Sequence, residues 1–369
     1  MMIAGEPSGD LHGSGVVREL KRLRPDCEVF GVGGDKMQAA GMDIIYHIRE
    51  LSVMGFWEVI QHLPLLRSVE RTLGYLLKVR KPDVLLLVDY PGFNLRFARR
   101  ARREGIRIVY YISPQVWAWN PGRVRKMKGI IDKMLVVFPF EVDLYRRQGI
   151  DVEFVGHPLL EVLLEPQGRH EFCTRYGFDE SKPVLGLFPG SRRQEIERIF
   201  PAMLGAARML HAERGVQVAV GVASALEFDF VRSFLRDDFP VTLIQNATYD
   251  VMKNSEVALV TSGTATLETA CYRTPMVVVY RTSWFTYLLG RALVRIRNIG
   301  LVNIVAGEQI VPELVQWGVT PQRLAGELLD LLKDDNRRRG IAEKLAAVKE
   351  RLGTRGASNR VAQSVISMT

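Results

Sequence analysis

Pro183-Val184-Leu185-Gly186-Leu187-Phe188-Pro189-Gly190-Ser191-Arg192-Arg193-Gln194-Glu195-Ile196-Glu197 passes from one kind of secondary structure to another. The apolar run 184–188 is of strand type and breaks at Pro189-Gly190. Ile196, Phe200, Met203 and Leu204 then fall on one helical face. Ser191 followed three residues later by Gln194 fits a capping box and predicts the helix start. A helix start offers unbonded N–H groups and the positive end of the helix dipole. Gly190 lets a ligand approach the backbone, and Arg192 and Arg193 supply forked donors suited to phosphate. Strand, glycine turn, helix and arginine together point to an anion site, with a diphosphate as the first candidate. An ordinary strand-to-helix turn carrying two solvated arginines reads the stretch about equally well.

Outward from this stretch the pattern repeats. Strand-like runs at 184–188, 216–221, 241–244, 257–260 and 276–280 alternate with helical segments, which predicts a parallel, doubly wound sheet. In the other direction, Val84-Leu85-Leu86-Leu87-Val88 has the composition of a buried parallel strand and opens a strand–helix–strand unit over 82–112. Further short strands are expected at the start of the chain, around Gly31-Val32-Gly33-Gly34, and at 134–138 and 152–155. The glycine cluster lacks GxGxxG spacing and predicts no dinucleotide site. A chain of 369 residues accommodates two such domains. The polar 165–171 reads as the linker, giving residues 1–164, residues 172–340, and C-terminal helices over 341–369 that could pack back on the first domain.

Net charge is +9, which favours anionic partners: nucleotides, phospholipid headgroups or nucleic acid. Cys27, Cys173 and Cys271 are far apart and form no CxxC, so they read as reduced buried thiols. No apolar run reaches membrane-spanning length. The first strand, at Met1-Met2-Ile3-Ala4, is short, and the opening residues are too few for a signal peptide.

Several loops carry candidate chemistry. Asp89 follows the buried 84–88 strand, at the strand end where open α/β sheets bind ligands; capping the helix from Phe93 is its competing role. Gly5-Glu6-Pro7-Ser8-Gly9-Asp10 is a second ligand loop or a tight turn with a Ser8 or Asp10 cap. Thr261 to Glu268 opens another helix with small and hydroxyl residues suited to phosphate, and Glu268 could accept from ribose hydroxyls. His157 reads as a packed hinge residue. Arg99, Arg100, Arg102 and Arg103 read as a solvated face or a phospholipid contact. Leu51 to Leu66 is unusually apolar and reads as core, with an acyl-chain groove or bilayer contact as the alternative. Residues 284–297 are aromatic and basic, as interfacial helices are.

Eight segments, in order, resemble the lipid-A-disaccharide synthase family along almost the whole chain. They are Ala4 to Asp10; Val53-Met54-Gly55 with Glu58-Val59; Val88 to Leu95; Ile112 to Trp119; Val155-Gly156-His157-Pro158; Phe188 to Arg192; Ser262 to Glu268; and Asn303 with Ala306-Gly307. Val116-Trp117-Ala118-Trp119 after a strand is especially specific. The resemblance implies a GT-B glycosyltransferase, an α/β architecture of two Rossmann-like doubly wound domains facing a central cleft. Its implied reaction is inverting: UDP-2,3-diacylglucosamine and 2,3-diacylglucosamine 1-phosphate give the lipid A disaccharide 1-phosphate and UDP. By position, the essential aspartate falls on Asp89. Donor contacts fall on Gly190, Ser191, Arg192, Gly263, Thr264, Glu268, Tyr280, Arg281 and Asn303. Acceptor-side positions are Glu6, Ser8, Gly9, Asp10, Asn94, Ser113 and Trp117, and Met54, Phe56 and Trp57 are the membrane or acyl contact. No DxD-type cluster is present, so no metal and no cofactor are expected. The implied setting is the cytoplasmic face of the inner membrane of a Gram-negative-type bacterium, with an anionic surface as partner, no nucleic acid, and room for a homo-oligomer. Many members carry a second acid three residues after the aspartate, where this chain has Gly92. The competing readings are a UDP-sugar 2-epimerase of the same architecture and a membrane-surface nucleotide-binding protein without catalysis. RNA recognition lacks any RRM, KH or zinc pattern.

Overall fold

Thirteen strands, every paired one parallel, form two sheets among the described residues. The computed structural model describes residues 1–51, 63–119, 121–236, 239–284, 287 and 298–369. Met54, Phe56 and Trp57 lie outside these residues, as does all of 284–297 except Trp284 and Tyr287. The chain divides into one unit of Met1–Glu161 with Leu352–Thr369 and another of Val162–Arg351.

The first unit holds β1 (Met2–Ala4), β2 (Phe30–Gly33), β3 (Asp43–His47), β4 (Val84–Val88), β5 (Arg107–Tyr111), β6 (Lys133–Val136) and β7 (Asp151–Phe154). Their order is β3-β2-β1-β4-β5-β6-β7. All five residues of β4 are buried, as a strand covered on both faces requires, whereas the edge strands β3 and β7 begin on the exposed residues Asp43 and Asp151. The winding reverses between β1 and β4, where Ala4 pairs with Val88. On the Pro91–Arg103 helix, Phe93, Phe97, Ala98 and Ala101 are buried. Part of its arginine run is spent inside the unit. The Arg100 guanidinium lies across Gly74, where a Cβ would fall 2.0 Å from Cζ, and donates to the Glu70 carbonyl at 3.0 Å. Arg102 pairs with Asp132 at 2.6 Å.

The chain returns to this unit through the Ala357–Ile366 helix, which packs on the Pro7–Leu23 helix. The crossing is close, since a Cβ on Gly15 would fall 2.4 Å from Ser358 Oγ. Ser358 binds both oxygens of Glu161, and Asn359 donates to Glu19 at 2.7 Å. His157 is buried: its N–H donates to the Leu352 carbonyl at 2.8 Å and Nδ1 accepts from the Leu159 N–H at 3.1 Å.

The second unit holds β8 (Val184–Phe188), β9 (Gln217–Val222), β10 (Val241–Gln245), β11 (Val257–Thr261), β12 (Met276–Tyr280) and β13 (Glu313–Val315), in the order β10-β9-β8-β11-β12-β13. Its winding reverses between β8 and β11, where Phe188 pairs with Val260. The polar 165–171 is not a free linker. It runs into the Arg169–Tyr176 helix and is tied down: the Gln167 N–H donates to Asp250 at 2.8 Å, Asn254 donates to the Gln167 carbonyl at 3.0 Å, and Arg169 donates to the Lys182 carbonyl at 2.7 Å. Proline and glycine mark a turn; the polar side chains around them supply the hydrogen bonds that fix it.

Candidate active site

Each sheet brings its candidate loops to the point where the strand order reverses, the place where open parallel sheets bind ligands. In the first unit those loops follow β1 and β4. Asp89 and Tyr90 are consecutive non-glycine residues in left-handed backbone, at φ +46° and +48°. Such a conformation costs about 1–2 kcal/mol per residue and has to be held. The Asp89 carbonyl accepts from Tyr110 Oη at 2.6 Å and Asn94 Nδ2 at 2.7 Å, and the Asp89 N–H donates to the Tyr111 carbonyl at 3.0 Å. Asn94 is wholly buried, so it positions the Asp89 backbone and is withdrawn from direct contact with an acceptor. Tyr90 takes the N-cap place of the Pro91–Arg103 helix, and its ring lies over Gly5, where a Cβ would fall 2.2 Å from Cδ1. Asp89 therefore does not cap that helix.

The Asp89 carboxyl is pushed up to about 6, first by burial and then by the like charge of Glu6; a hydrogen bond from the Tyr90 backbone pulls the other way. Glu6 is exposed on the β1 loop, and its charge is felt at Asp89. Gly92, where many members of the family the chain resembles carry an acid, faces open space: a Cβ there meets nothing within 4 Å.

Other candidates of this unit are structural. Asp10 is buried and accepts from the N–H groups of Gly34 at 2.8 Å, Lys36 at 3.2 Å and Met37 at 3.0 Å, so it anchors the turn after β2 instead of facing a ligand. Gly9 lets the Pro7–Leu23 helix press on β1, with a Cβ there 3.2 Å from Ala4 Cβ. Ser8 is exposed. Ser113 and Trp117 converge on a residue that sequence reading passed over. Glu141 is buried and accepts from Ser113 Oγ at 2.5 Å, Trp117 Nε1 at 3.2 Å and the Phe138 N–H at 3.2 Å. Burial drives its carboxyl up to about 7 against those donors. It sits in the first turn of the Phe140–Arg146 helix, five residues past the end of β6.

In the second unit the loops follow β8 and β11. The expected Ser191/Gln194 box is absent. The Arg193–Arg214 helix has Arg192 at its N-cap position, and Glu195 reaches back to it. One Glu195 oxygen accepts from the N–H groups of Ser191 at 3.0 Å and Arg192 at 3.3 Å, and the other meets Arg192 Nη1 at 2.8 Å. An internal carboxylate thus sits on the donors expected to take an anion. Gly190 at φ +116° is needed there, since a Cβ would fall 2.5 Å from Glu195 Oε2.

After β11, Gly263 at φ +151° leads into the Thr264–Cys271 helix. Thr264 is exposed; Ser262 and Thr266 spend their hydroxyls on the carbonyls of Ile299 and Gly263. Glu268 is half-buried, and burial alone raises its carboxyl to about 7. Tyr280 is half-buried, and Arg281 is exposed at the end of β12. Asn303 is fully buried and satisfied internally. Nδ2 donates to the Val311 carbonyl at 2.9 Å and Glu313 at 2.7 Å, and Oδ1 accepts from Ile310 at 2.8 Å and Val311 at 3.1 Å. It pins the loop before β13 and has no group left for a donor substrate.

The family model described as lipid-A-disaccharide synthetase matches residues 1–366. The chain belongs to the lipid-A-disaccharide synthase family. The family's enzyme from Geobacter sulfurreducens is 44% identical over 100% of this chain and 96% of its own, and that from Nitrosococcus oceani is 40% identical over 100% and 95%. The two-unit architecture matches solved GT-B structures. The UDP-GlcNAc 2-epimerase of Neisseria meningitidis has a TM-score of 0.66 at 13% identity, covering 99% of each chain. A glycosyltransferase of kitacinnamycin has a TM-score of 0.66 at 14% identity over 100% of this chain and 98% of that one. At these identities the epimerase shares the fold alone, and family membership makes this chain a glycosyltransferase of lipid A biosynthesis acting on a nucleotide sugar. Among the described residues no helix is long and apolar enough to cross a membrane.

Proposed function

We propose that the chain condenses UDP-2,3-diacylglucosamine with 2,3-diacylglucosamine 1-phosphate. The acceptor's 6-hydroxyl gives its proton to Asp89, its oxygen forms the new bond to the anomeric carbon with inversion, and the bond from that carbon to the diphosphate breaks to release UDP. The observation carrying this reading is Asp89 itself. It is a largely buried carboxylate that makes no ion pair among the described residues, on a backbone held by Tyr110 and Asn94, with its pKa raised to about 6. A base of that strength is mostly ionised at neutral pH yet still accepts a proton well. Departing negative charge falls to Arg192 and the loops after β8 and β11, without a metal. We place the work at the cytoplasmic face of the inner membrane, where the chain's charge of +9 meets anionic lipid.

One assay tests base and metal independence together. In excess EDTA the wild type keeps its rate, and Asp89→Asn loses ~10²–10⁴-fold while UDP binding stays near that of the wild type. A strict need for added Mg²⁺ or Mn²⁺ overturns metal independence, and an active Asn variant overturns the base.

A further inference from the structure

Two indoles stand outside the second unit's core, just past β12 and β13. Trp284 is 53% exposed and Trp317 61%, yet their ring centres lie 4.1 Å apart, with Tyr287 edge-on to Trp317 at 6.1 Å. A contiguous aromatic cluster facing water marks an interaction surface. It is also held in place. Gln316, buried and in left-handed backbone at φ +51°, accepts from the Thr282 N–H at 2.8 Å and donates to the Thr282 carbonyl at 3.2 Å. This two-point clasp ties the turn carrying Trp317 to the loop carrying Trp284. Strain of this kind persists where the surroundings over-determine it. Beside the pair opens a cavity of about 410 Å³, with Arg198 and Arg281 on its wall and Glu197 as its acid.

We propose that Trp284 and Trp317, flanked by Arg198, form a docking point of the second unit for an anionic bilayer surface. Three observations select this occupant. Indole rings are amphipathic and favour the headgroup level, where the Arg198 guanidinium meets phosphate. In sequence the chain continues through Phe285, Tyr287, Leu288 and Leu289 to Arg291, Arg295 and Arg297, the composition of interfacial segments. A base stacked between the two indoles is excluded, because at 4.1 Å the rings already touch each other. The proposal rests on the reading that the substrates are lipids, and it adds a contact that the chemistry itself does not need.

Vesicle flotation tests it. Wild type is expected to bind mixed phosphatidylglycerol–phosphatidylcholine vesicles more tightly than phosphatidylcholine alone. Trp284→Ser with Trp317→Ser is expected to lower that partition about tenfold or more. The same variant should retain its turnover on detergent-dispersed substrate. Trp284→Phe with Trp317→Phe, which keeps an aromatic fill, should bind at an intermediate level and lose the component of tryptophan fluorescence quenched by doxyl lipid. Wild-type partition by the serine variant, or quenching unchanged in the phenylalanine variant, overturns the proposal while leaving the catalytic reading standing. Loss of detergent-phase turnover in folded variants also overturns it, by assigning the pair to the substrate site.

Discussion

At Asp89 two costs coincide, a left-handed backbone and a carboxyl withdrawn from water, and on the proposed reading both serve a proton acceptor. The base acts when ionised, so the acid limb of kcat/KM should have its midpoint near 6. Glu6 raises that pKa by repulsion, so Glu6→Gln should move the limb to lower pH, whatever it does to the plateau. A pH–rate profile with an unmoved midpoint would show that the two carboxylates do not couple. Asp89 was legible in sequence because a carboxylate after a run of Val and Leu is conspicuous. Asp10, Asn94 and Asn303 were legible as motif residues but not as structural ones. Asp10 bonds backbone groups more than twenty residues away, while Asn94 and Asn303 bond nearby loop groups, and only the folded chain shows that these side chains are spent there. Glu141 was missed because an acid in the first turn of a helix reads as an ordinary exposed one, and only the folded chain buries it against Ser113 and Trp117.

At the scale of elements, the strand–glycine–helix unit was legible in outline but not at its cap. Pattern matching placed the cap at Ser191, whereas Glu195 selects Arg192, since an acid at the third helical position can reach two N–H groups and a guanidinium at once. If this loop takes the diphosphate as proposed, the ligand competes with Glu195 for the same donors, so Arg192 should contribute less than an unpaired arginine would. Arg192→Ala should still weaken UDP binding about tenfold to a hundredfold, from a charge-assisted contact of roughly 1.5–3 kcal/mol. Glu195→Gln should leave affinity equal or tighter, because the competing charge is gone. Calorimetric titration with UDP decides: unchanged affinity in Arg192→Ala removes this loop from the donor site. Affinity that falls as far in Glu195→Gln would mean the carboxylate shapes the loop and does not compete with the ligand.

On the scale of the whole molecule, two cores were legible from alternating strands and helices. The boundary at Glu161 was masked, because the next polar stretch is fastened to Asp250 and Asn254. The return of residues 352–369 to the first unit depends on the Gly15–Ser358 crossing, a contact across most of the chain. Separate cores predict separate unfolding. The proposed donor loops lie in residues 162–351, so UDP should stabilise that unit alone, by ~2.7 kcal/mol at a hundred times Kd. For a unit of this size that is roughly 5–10 °C. The first unit answers to a different perturbation. The Asp89 pKa in the folded state, about 6, lies above the ordinary 3.8, so the folded unit holds its proton longer than the unfolded chain does. Stability of that unit therefore falls as pH rises from about 4 through about 6, and the penalty is complete at pH 8. Asp89→Asn removes it, a gain of about 1–3 kcal/mol at pH 8 that vanishes near pH 4. Scanning calorimetry should then show two transitions, identified by hydrogen exchange at β4 and β11. UDP should raise only the β11 transition, and Asp89→Asn at pH 8 only the β4 one. A single cooperative transition, or UDP raising both, would mean that the two cores do not unfold independently.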